Sequence, residues 1–332
     1  MRLTIKNLSV SYENIVIDSL NLTVENGEFC TLIGHSGTGK STILKSVAGL
    51  IDIQADDITL NGESILTLSA DKREIGFVFQ KPLLFPHLTV EENISFSLEI
   101  RKWSSIKKVN RVNELIQLLE LEGLEKRYPN EISGGQQQRV AIGRAMAFNP
   151  KIILMDEPFS SLDPRLRISM GEFLKELQIK LNLTIVFVTH DPLEALRLSD
   201  KIAFVHQKTI IQNDIPNVIY NKPKAKIIGD FFGKANWIDG IVKDNMFSCD
   251  FFKIEMIVEE GLYTVLLRPH QIEILEGDVW LIEQVKLLGK ETHYLLRFKD
   301  HFIWVEVKGE PKNKLGDTVN IHIENIQHYL KR

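Results

Sequence analysis

The sequence has few of the features that mark secreted, membrane-spanning or nucleic-acid-binding proteins. Its 332 residues include two cysteines, and Cys30 lies in an apolar run that predicts a buried, unreactive thiol. No apolar run approaches the ~20 residues that a membrane span needs. Residues 1–10 alternate polar and apolar side chains, unlike a signal peptide. The net charge of -4 argues against general nucleic-acid binding. We therefore expect a soluble, cytoplasmic protein.

The pattern of secondary structure changes near residue 233, which predicts two domains at residues 1–233 and 234–332. In the first part, short β-branched runs alternate with stretches of helical period, as in an α/β fold with a mostly parallel sheet. Runs 29–33, 152–155 and 184–189 are apolar on both faces and predict buried central strands. Ligands bind at the carboxyl ends of such strands.

Two stripes of apolar residues recur at helical spacing, and we predict that both pack into the core. The first stripe is Ile106, Val109, Val112, Leu115, Ile116 and Leu119, and the second is Leu166, Met170, Phe173, Leu174, Leu177 and Leu181.

After residue 233 the strands follow one another without helices, which predicts a small all-β barrel or sandwich. The predicted strands are 237–242, 263–267, 279–287, 293–298, 301–307 and 318–323. In the last of them, Val319, Ile321 and Ile323 alternate with polar residues, as in a strand with one buried face.

A glycine-rich loop follows the first buried strand and leads into an apolar helix. Its residues are Gly34, His35, Ser36, Gly37, Thr38, Gly39, Lys40, Ser41 and Thr42. Glycines let successive backbone N–H groups point at phosphate oxygens, and the helix N-terminus adds its positive end. Lys40 is placed to reach the β and γ phosphates, and the Ser41 hydroxyl to bind Mg²⁺. The motif predicts binding of ATP or GTP.

The strand at 152–155 ends in two carboxylates, Asp156 and Glu157. Taken alone, such an ending is usually a solvated turn. Because a phosphate-binding loop lies upstream, Asp156 is better explained as a contact to Mg²⁺, direct or through water. Glu157, one residue further, can polarise the attacking water as a general base.

Residues 133–139 read Ser-Gly-Gly-Gln-Gln-Gln-Arg and precede an apolar helix. A capping box between Ser133 and Gln136 would explain part of this string. The string also resembles the ABC signature, Leu-Ser-Gly-Gly-Gln, with Ile132 in place of the leucine. It lies between the phosphate loop and Asp156, in the family's order. The chain therefore resembles the ATP-binding subunits of ABC transporters.

The resemblance implies a shared site, in which two subunits form a head-to-tail homodimer and bind ATP and Mg²⁺. In that arrangement Ser133, Gly134, Gly135 and Gln136 close over the ATP that the partner subunit holds. Glycine amides and a helix N-terminus suit this contact with an anion.

Four further positions match the family one at a time. Gln80 matches the Q-loop glutamine, which senses Mg²⁺ and the attacking water. His190 matches the switch histidine at the γ phosphate, and Asp163 matches the D-loop aspartate, which reaches across the dimer. Tyr12 matches the aromatic residue that stacks on adenine. With Glu157, the resemblance makes His190 and Gln80 the catalytic residues.

Two positions depart from the family pattern without removing a catalytic group, so we expect activity. His35 stands where proline is usual, and Gly143 where alanine is usual.

The kind of ABC protein is indicated by three further segments. Residues 82–90 open a helical subdomain of about 82–145 and resemble bacterial importers of ferric iron, polyamines, sulfate, molybdate and sugars. Residues 232–237 resemble the junction into the TOBE domain of such importers, an OB-like barrel, and residues 267–270 resemble an element of that domain. The resemblance implies an importer, with ferric iron as first cargo and the other four solutes as alternatives.

An importer of this type implies transmembrane permease subunits, an extracytoplasmic solute-binding protein acting indirectly, and a peripheral position on the cytoplasmic face of the inner membrane. One rival is a non-transport ABC ATPase acting on nucleic acid or ribosomes, which would carry a coiled-coil insertion or tandem ATPase domains. Another is a regulator that binds ATP without cleaving it, which the presence of Glu157, His190 and Gln80 disfavours.

Overall fold

The computed structural model describes residues 1–12, 15–326 and 328–331, with the side chains of all but Tyr12, Ile15 and Val16. The chain forms two compact units, Met1–Pro216 and Asn217–Arg332. The second unit includes residues 217–233, which the sequence assigns to the first domain. Over the described part of the chain, no helix has both the length and the apolar character that crossing a membrane requires.

The first unit contains two sheets. Its strands are β1 (Leu3–Tyr12), β2 (Ile15–Val24), β3 (Phe29–Ile33), β4 (Asp57–Leu60), β5 (Glu63–Ser64), β6 (Ile75–Val78), β7 (Ile152–Asp156), β8 (Ile185–Val188), β9 (Lys201–His206) and β10 (Thr209–Asp214). A six-stranded sheet has the order β10-β9-β3-β8-β7-β6 and is parallel except at β10. A four-stranded antiparallel sheet has the order β2-β1-β4-β5.

Six α-helices accompany these sheets in the described part of the first unit. They are α1 (Lys40–Ala48), α2 (Val90–Ile100), α3 (Ser105–Leu118), α4 (Gly134–Met146), α5 (Pro164–Leu181) and α6 (Pro192–Leu198). Short 3₁₀ turns occupy Ala70–Lys72 and Pro129–Glu131. Helix α2 begins with a capping box, in which Thr89 accepts from the Glu92 N–H and Glu92 accepts from the Thr89 N–H.

The six-stranded sheet is buried on both faces, which explains its continuous apolar runs. Alternate residues of a strand point to opposite faces. In β7, Ile152 and Leu154 join the core that contains α1 and the antiparallel sheet, whereas Ile153 and Met155 join the core that contains α2, α4 and α5. Cys30 is fully buried as predicted, and burial raises the pKa of its thiol.

The prediction of the two apolar stripes was wrong at their ends. Ile106 and Val109 are 76% and 53% exposed, and Leu181 is also exposed, whereas Val112 and Leu115 are buried. Helical spacing identifies which side of a helix is apolar, but it does not show where the neighbouring element ends. The antiparallel sheet formed by β1, β2, β4 and β5 was not predicted.

The second unit begins with two short helices and continues as two antiparallel sheets. Its elements are α7 (Pro216–Asn221), α8 (Lys226–Phe231), β11 (Asn236–Lys243), β12 (Met246–Ser248), β13 (Lys253–Glu255), β14 (Gly261–Leu267), β15 (Ile272–Leu287), β16 (Glu291–Phe298), β17 (His301–Lys308), β18 (Thr318–Ile323) and β19 (His328–Lys331). The sheet orders are β13-β12-β11-β14-β19 and β17-β16-β15-β18. One core, which includes the buried Trp280 and Tyr294, receives side chains from both sheets.

Candidate functional site

The loop between β3 and α1 is shaped to receive an anion. Gly37 and Gly39 have φ angles of 79° and 93°, in the left-handed region that favours glycine. Helix α1 has no side-chain cap at its N-terminus, so its first N–H groups face the loop without a side-chain acceptor. A side chain on Gly34 would place its Cβ 2.2 Å from the Val205 carbonyl oxygen, so only glycine fits there.

The Lys40 ammonium lies over this loop. Its Nζ donates to the carbonyl oxygens of Gly34, at 2.9 Å, and His35, at 2.8 Å. The side chain is buried, and burial lowers the pKa of Lys40 against the opposing effect of Glu157 and Asp156. Backbone carbonyls are neutral acceptors, so the positive charge of Lys40 remains available for a phosphate group. The residues present therefore fit a nucleotide phosphate.

A hydroxyl and a carboxylate meet at the carboxyl edge of the sheet. Ser41 Oγ, in the first turn of α1, donates to Asp156 Oδ1 at 2.7 Å. Asp156 ends β7, and its partner in the neighbouring strand is Val188 of β8. Burial raises the pKa of Asp156, although the Ser41 hydrogen bond acts in the opposite direction. Two hard oxygen donors in contact fit Mg²⁺, which prefers such ligands.

Glu157 is held in an unusual backbone conformation beside His190. Its φ angle is 46°, which is uncommon for a residue with a side chain and costs roughly 1–3 kcal/mol where the surrounding structure imposes it. The Glu157 N–H donates to the Val188 carbonyl at 3.0 Å, which fixes this turn. Glu157 Oε2 then lies 3.0 Å from His190 Nδ1. The structure therefore brings together the carboxylate and the imidazole that the sequence predicted as catalytic.

Gln80 is connected to the same cluster. It lies two residues after β6, and its Nε2 donates to Ser160 Oγ at 3.3 Å. Ser160 Oγ in turn donates to the Glu157 carbonyl at 3.0 Å. The segments that follow β6 and β7 are thus joined by side chains, and the exposed Gln80 faces the Asp156–Glu157 edge.

The predicted signature residues begin helix α4. Ser133 accepts from the Gln136 N–H at 3.3 Å, and Gln136 Oε1 accepts from the Ser133 N–H at 2.8 Å, so the capping box is present. Ser133 and Gly134 are exposed, whereas Gly135 is buried against Leu166 of α5. Ser133 and Gly134 therefore lie at the surface, where a second molecule could reach them.

The other predicted residues have local roles in the structure. Asp163 caps α5, because its Oδ1 accepts from the N–H groups of Arg165 and Leu166, both at 3.1 Å. Thr38 donates to the His35 carbonyl at 2.9 Å, and His35 and Ser36 are exposed.

The sequence also singled out Tyr12 and Gly143. Tyr12 ends β1, but its side chain lies outside the described residues. Gly143 has a packing reason, since an added Cβ would lie 2.6 Å from Leu119 Cδ1.

Sequence reasoning missed Arg167, which joins the segments after β7 and β8. Its guanidinium donates to the carbonyls of Ser160 and Leu162 at 3.3 Å and 3.2 Å. It also lies 3.6 Å from Asp191 Oδ2 and 3.7 Å from Glu194 Oε1. In the sequence, Arg167 is one cation among several on a helix, so only the folded chain reveals this position.

The arrangement and the comparisons agree on the class of protein. A parallel sheet with a lysine-bearing phosphate loop and two carboxylates at its carboxyl edge is typical of P-loop nucleoside triphosphatases. Residues 17–160 match the family model described as ABC transporter. The chain is also similar to two solved structures of the ATP-binding cassette MJ0796.

The first of these, described as the dimeric post-hydrolysis state bound to ADP and Pi, is 33% identical to this chain, with a TM-score of 0.57. The second, described as a dimeric bacterial ABC transporter cassette, is 34% identical, also with a TM-score of 0.57. Each comparison covers 64% of this chain and 98% of the other. The chain belongs to the ABC transporter family. It is an ABC-type ATPase, which binds ATP and hydrolyses it.

The buried Asp156 carboxylate gives a prediction about stability. A carboxyl whose pKa is raised in the folded state stabilises the fold less as the pH rises above its unfolded pKa of about 3.9. We expect Asp156→Asn to raise the free energy of unfolding at pH 7 by about 1 kcal/mol, because an amide oxygen can still accept from Ser41 without a buried charge.

Urea unfolding with a chelator and without nucleotide measures this change. The gain should shrink as the pH is lowered toward 4, and Asp214→Asn, a substitution of a partly exposed aspartate at the end of β10, should show no comparable gain. A less stable Asp156→Asn variant at pH 7 would contradict the prediction.

Proposed function

We propose that this ABC ATPase is the energising subunit of a bacterial importer for a small solute. The catalytic part of this proposal rests on the cluster at the carboxyl edge of the sheet. There Ser41 contacts Asp156, and Glu157 contacts His190. We assign ferric iron as the first candidate cargo, with polyamine, sulfate, molybdate or sugar as alternatives.

The proposed roles combine the family resemblance with this geometry. Lys40 and the N–H groups of residues 34–42 bind the phosphates, and Ser41, Asp156 and Gln80 hold Mg²⁺ directly or through water. When bound, Mg²⁺ neutralises charge on the phosphate oxygens. Glu157 orients and polarises the attacking water, and His190 keeps that carboxylate in position and contacts the γ phosphate.

We propose a homodimer as the active form. The solved relatives are described as dimeric. The exposed position of Ser133 and Gly134 at the start of α4 supports a contact with nucleotide held by a second subunit, together with Gly135, Gln136 and Asp163. Tyr12 is proposed to stack on adenine.

The surface between β6 and α4 supports attachment to a permease. Ile106 and Val109 lie one turn apart on α3, at 76% and 53% exposed, and Leu83 after β6 is also exposed. Exposed apolar side chains that are neighbours on a helix, as Ile106 and Val109 are, are typical of binding surfaces. We propose that this helical subdomain, residues 82–145, binds the permease and places the protein on the cytoplasmic face of the inner membrane.

The second domain, residues 234–332, is proposed to be a TOBE domain with an OB-like barrel. Two antiparallel sheets around one core support a compact β domain of this kind. For the rival function, a non-transport ATPase acting on nucleic acid or ribosomes, the described residues show no specific contact.

Docking can be tested apart from hydrolysis. We expect Ile106→Asp with Val109→Asp to abolish solute uptake in cells and capture of membrane subunits, while the purified protein keeps its basal ATPase activity. A charged side chain introduced into a binding surface weakens the complex strongly, whereas on a surface exposed to water it changes the free energy of the protein little. Ile179→Asp is the matched control, since Ile179 is 66% exposed on a different helix, α5.

Uptake of labelled ferric iron, polyamine, sulfate, molybdate and maltose should be compared between the wild-type gene, the docking variant and Glu157→Gln. Loss of the same solute in both variants would support the proposal and identify the cargo. Normal uptake of every solute, with ribosomes or nucleic acid co-purifying in place of membrane proteins, would favour the rival function.

A further inference from the structure

A second group of potential metal ligands lies in the β domain, away from the nucleotide site in sequence. Glu291 and His293 are two residues apart on β16, so their side chains share one face of the sheet. Glu306 lies on β17, directly opposite His293 in the strand register. The strand pairing therefore fixes two carboxylates and one imidazole at the same place.

Two of the three distances between the donor atoms are close to those of a tetrahedral metal site. His293 Nε2 lies 3.2 Å from Glu291 Oε1 and 3.6 Å from Glu306 Oε2, and all three donors lie within 4.8 Å of one another. Zinc binds histidine nitrogen and carboxylate oxygen at about 2.0–2.2 Å, which places neighbouring ligands of a tetrahedron about 3.3–3.6 Å apart. The two distances around His293 fall close to this range.

Hydrogen bonds within the cluster of Glu291, His293 and Glu306 do not satisfy both carboxylates. One imidazole N–H can donate well to a single acceptor, yet two carboxylates converge on the same nitrogen. A divalent cation would interact with both carboxylates and with the nitrogen lone pair. The Glu291 and Glu306 side chains are 42% and 30% exposed, so water screens their negative charges in part, whereas His293 between them is 15% exposed.

A fourth ligand position is accessible. Glu306 also lines a cavity of about 850 Å³ together with His270, Tyr294 and His322. The Glu306 side chain is 30% exposed, so water can reach its carboxylate and supply a fourth ligand.

Lys234 opposes the binding of a cation. Its Nζ lies 3.4 Å from His293 Nδ1, on the other side of the imidazole, and 3.0 Å from the centre of the Trp304 ring. The lysine charge repels a cation, and its hydrogen bond to Nδ1 favours a proton on Nε2. Metal binding at Nε2 moves the ring proton to Nδ1, so Lys234 can no longer donate there and must turn away from the ring.

We propose that Glu291, His293 and Glu306 form a binding site for a divalent transition-metal ion of the zinc class, with water as the fourth ligand. The site crosslinks β16 and β17. It is independent of the ATP site and of the proposed transport function.

The test uses the full-length protein, stripped of metal and nucleotide and titrated with Co²⁺, whose visible absorption is intense in tetrahedral sites. We expect one equivalent with tetrahedral bands, which Zn²⁺ removes. His293→Ala and Glu306→Gln should each weaken binding at least tenfold. Lys234→Met should tighten Co²⁺ binding. If the three residues formed only a structural ion cluster, this substitution would not have that effect.

Two control variants locate the signal. His301→Ala removes an exposed histidine that pairs with the carboxylate of Asp250 and lies outside the proposed site, and it should leave the bands unchanged. His190→Ala removes the imidazole of the nucleotide site and should also leave them unchanged. Circular dichroism checks that each variant is folded. If His293→Ala unfolds, the nearly isosteric Glu306→Gln provides the test of the site. Absent tetrahedral bands, or equal bands in wild type and Glu306→Gln, would overturn the site.

Discussion

We expect Glu157→Gln to lower the ATP hydrolysis rate by about 10²–10⁴-fold while leaving ATP binding intact. Glutamine has nearly the same shape, so the turn at φ 46° and the N–H bond to Val188 remain. The amide cannot accept a proton from water, and it loses the charge that faces His190 Nδ1 at 3.0 Å. The change therefore removes the chemical step and preserves the site that holds the phosphates.

Steady-state phosphate release and equilibrium binding of ATP measure the two effects separately. Glu172→Gln, the same substitution on an exposed residue of α5, is the matched control and should retain wild-type turnover. Hydrolysis within threefold of wild type would exclude Glu157 as the general base.

The same variant tests the composite site. A protein that binds ATP without cleaving it should accumulate as the closed dimer, because in the proposed homodimer bound nucleotide links Ser133 and Gly135 of one subunit to the phosphate loop of the other. Sedimentation with and without ATP measures this. A Glu157→Gln protein that stays monomeric at saturating ATP would contradict the shared site while leaving the ATPase assignment in place.

We expect Arg268→Met to destabilise the second unit by about 3–5 kcal/mol. Arg268 is 1% exposed, and its guanidinium donates to the Tyr220 carbonyl at 2.7 Å and the Gly229 carbonyl at 2.9 Å. It makes longer bonds to the carbonyls of Gly233 and Lys234 and stacks on the Tyr220 ring at 4.1 Å. Methionine fills the space but leaves several carbonyls without a donor.

Arg268→Lys should give an intermediate loss, because an ammonium cannot span carbonyls as the planar guanidinium does. Tryptophan fluorescence during urea unfolding suits the measurement, since Trp237, Trp280 and Trp304 lie in this unit. Arg297→Met is the control: Arg297 pairs with Glu283 at the surface, and such pairs contribute less than about 1 kcal/mol. Equal losses in both methionine variants would contradict the proposed role of Arg268.

Much of the fold could be predicted from local pattern. The strand predicted at 29–33 matches β3, and the one predicted at 318–323 matches β18. The strand predicted at 279–287 is only the second part of β15, because Gly277 and the charged residues near it interrupt the apolar alternation. Pairing with β18, with an irregularity between Glu276 and Trp280, carries the strand through that interruption.

The sequence by itself determined the chemistry of this protein. The phosphate loop, the Asp156–Glu157 pair and the signature are each contiguous, so their resemblance to the ABC family indicates an ABC ATPase without any knowledge of packing. A contiguous motif works through backbone N–H groups and one or two side chains whose positions the local turn already fixes.

Only the tertiary structure decided which distant residues meet. Glu157 and His190 are joined because β7 and β8 are adjacent in the sheet, and Arg167 bridges the loops after those strands. Ile106 and Val109 share the helical period of buried residues, yet they are exposed. Glu306 lies opposite His293 because of strand register. Register, strand order and the end of a packed face depend on long-range contacts, which a local pattern does not contain.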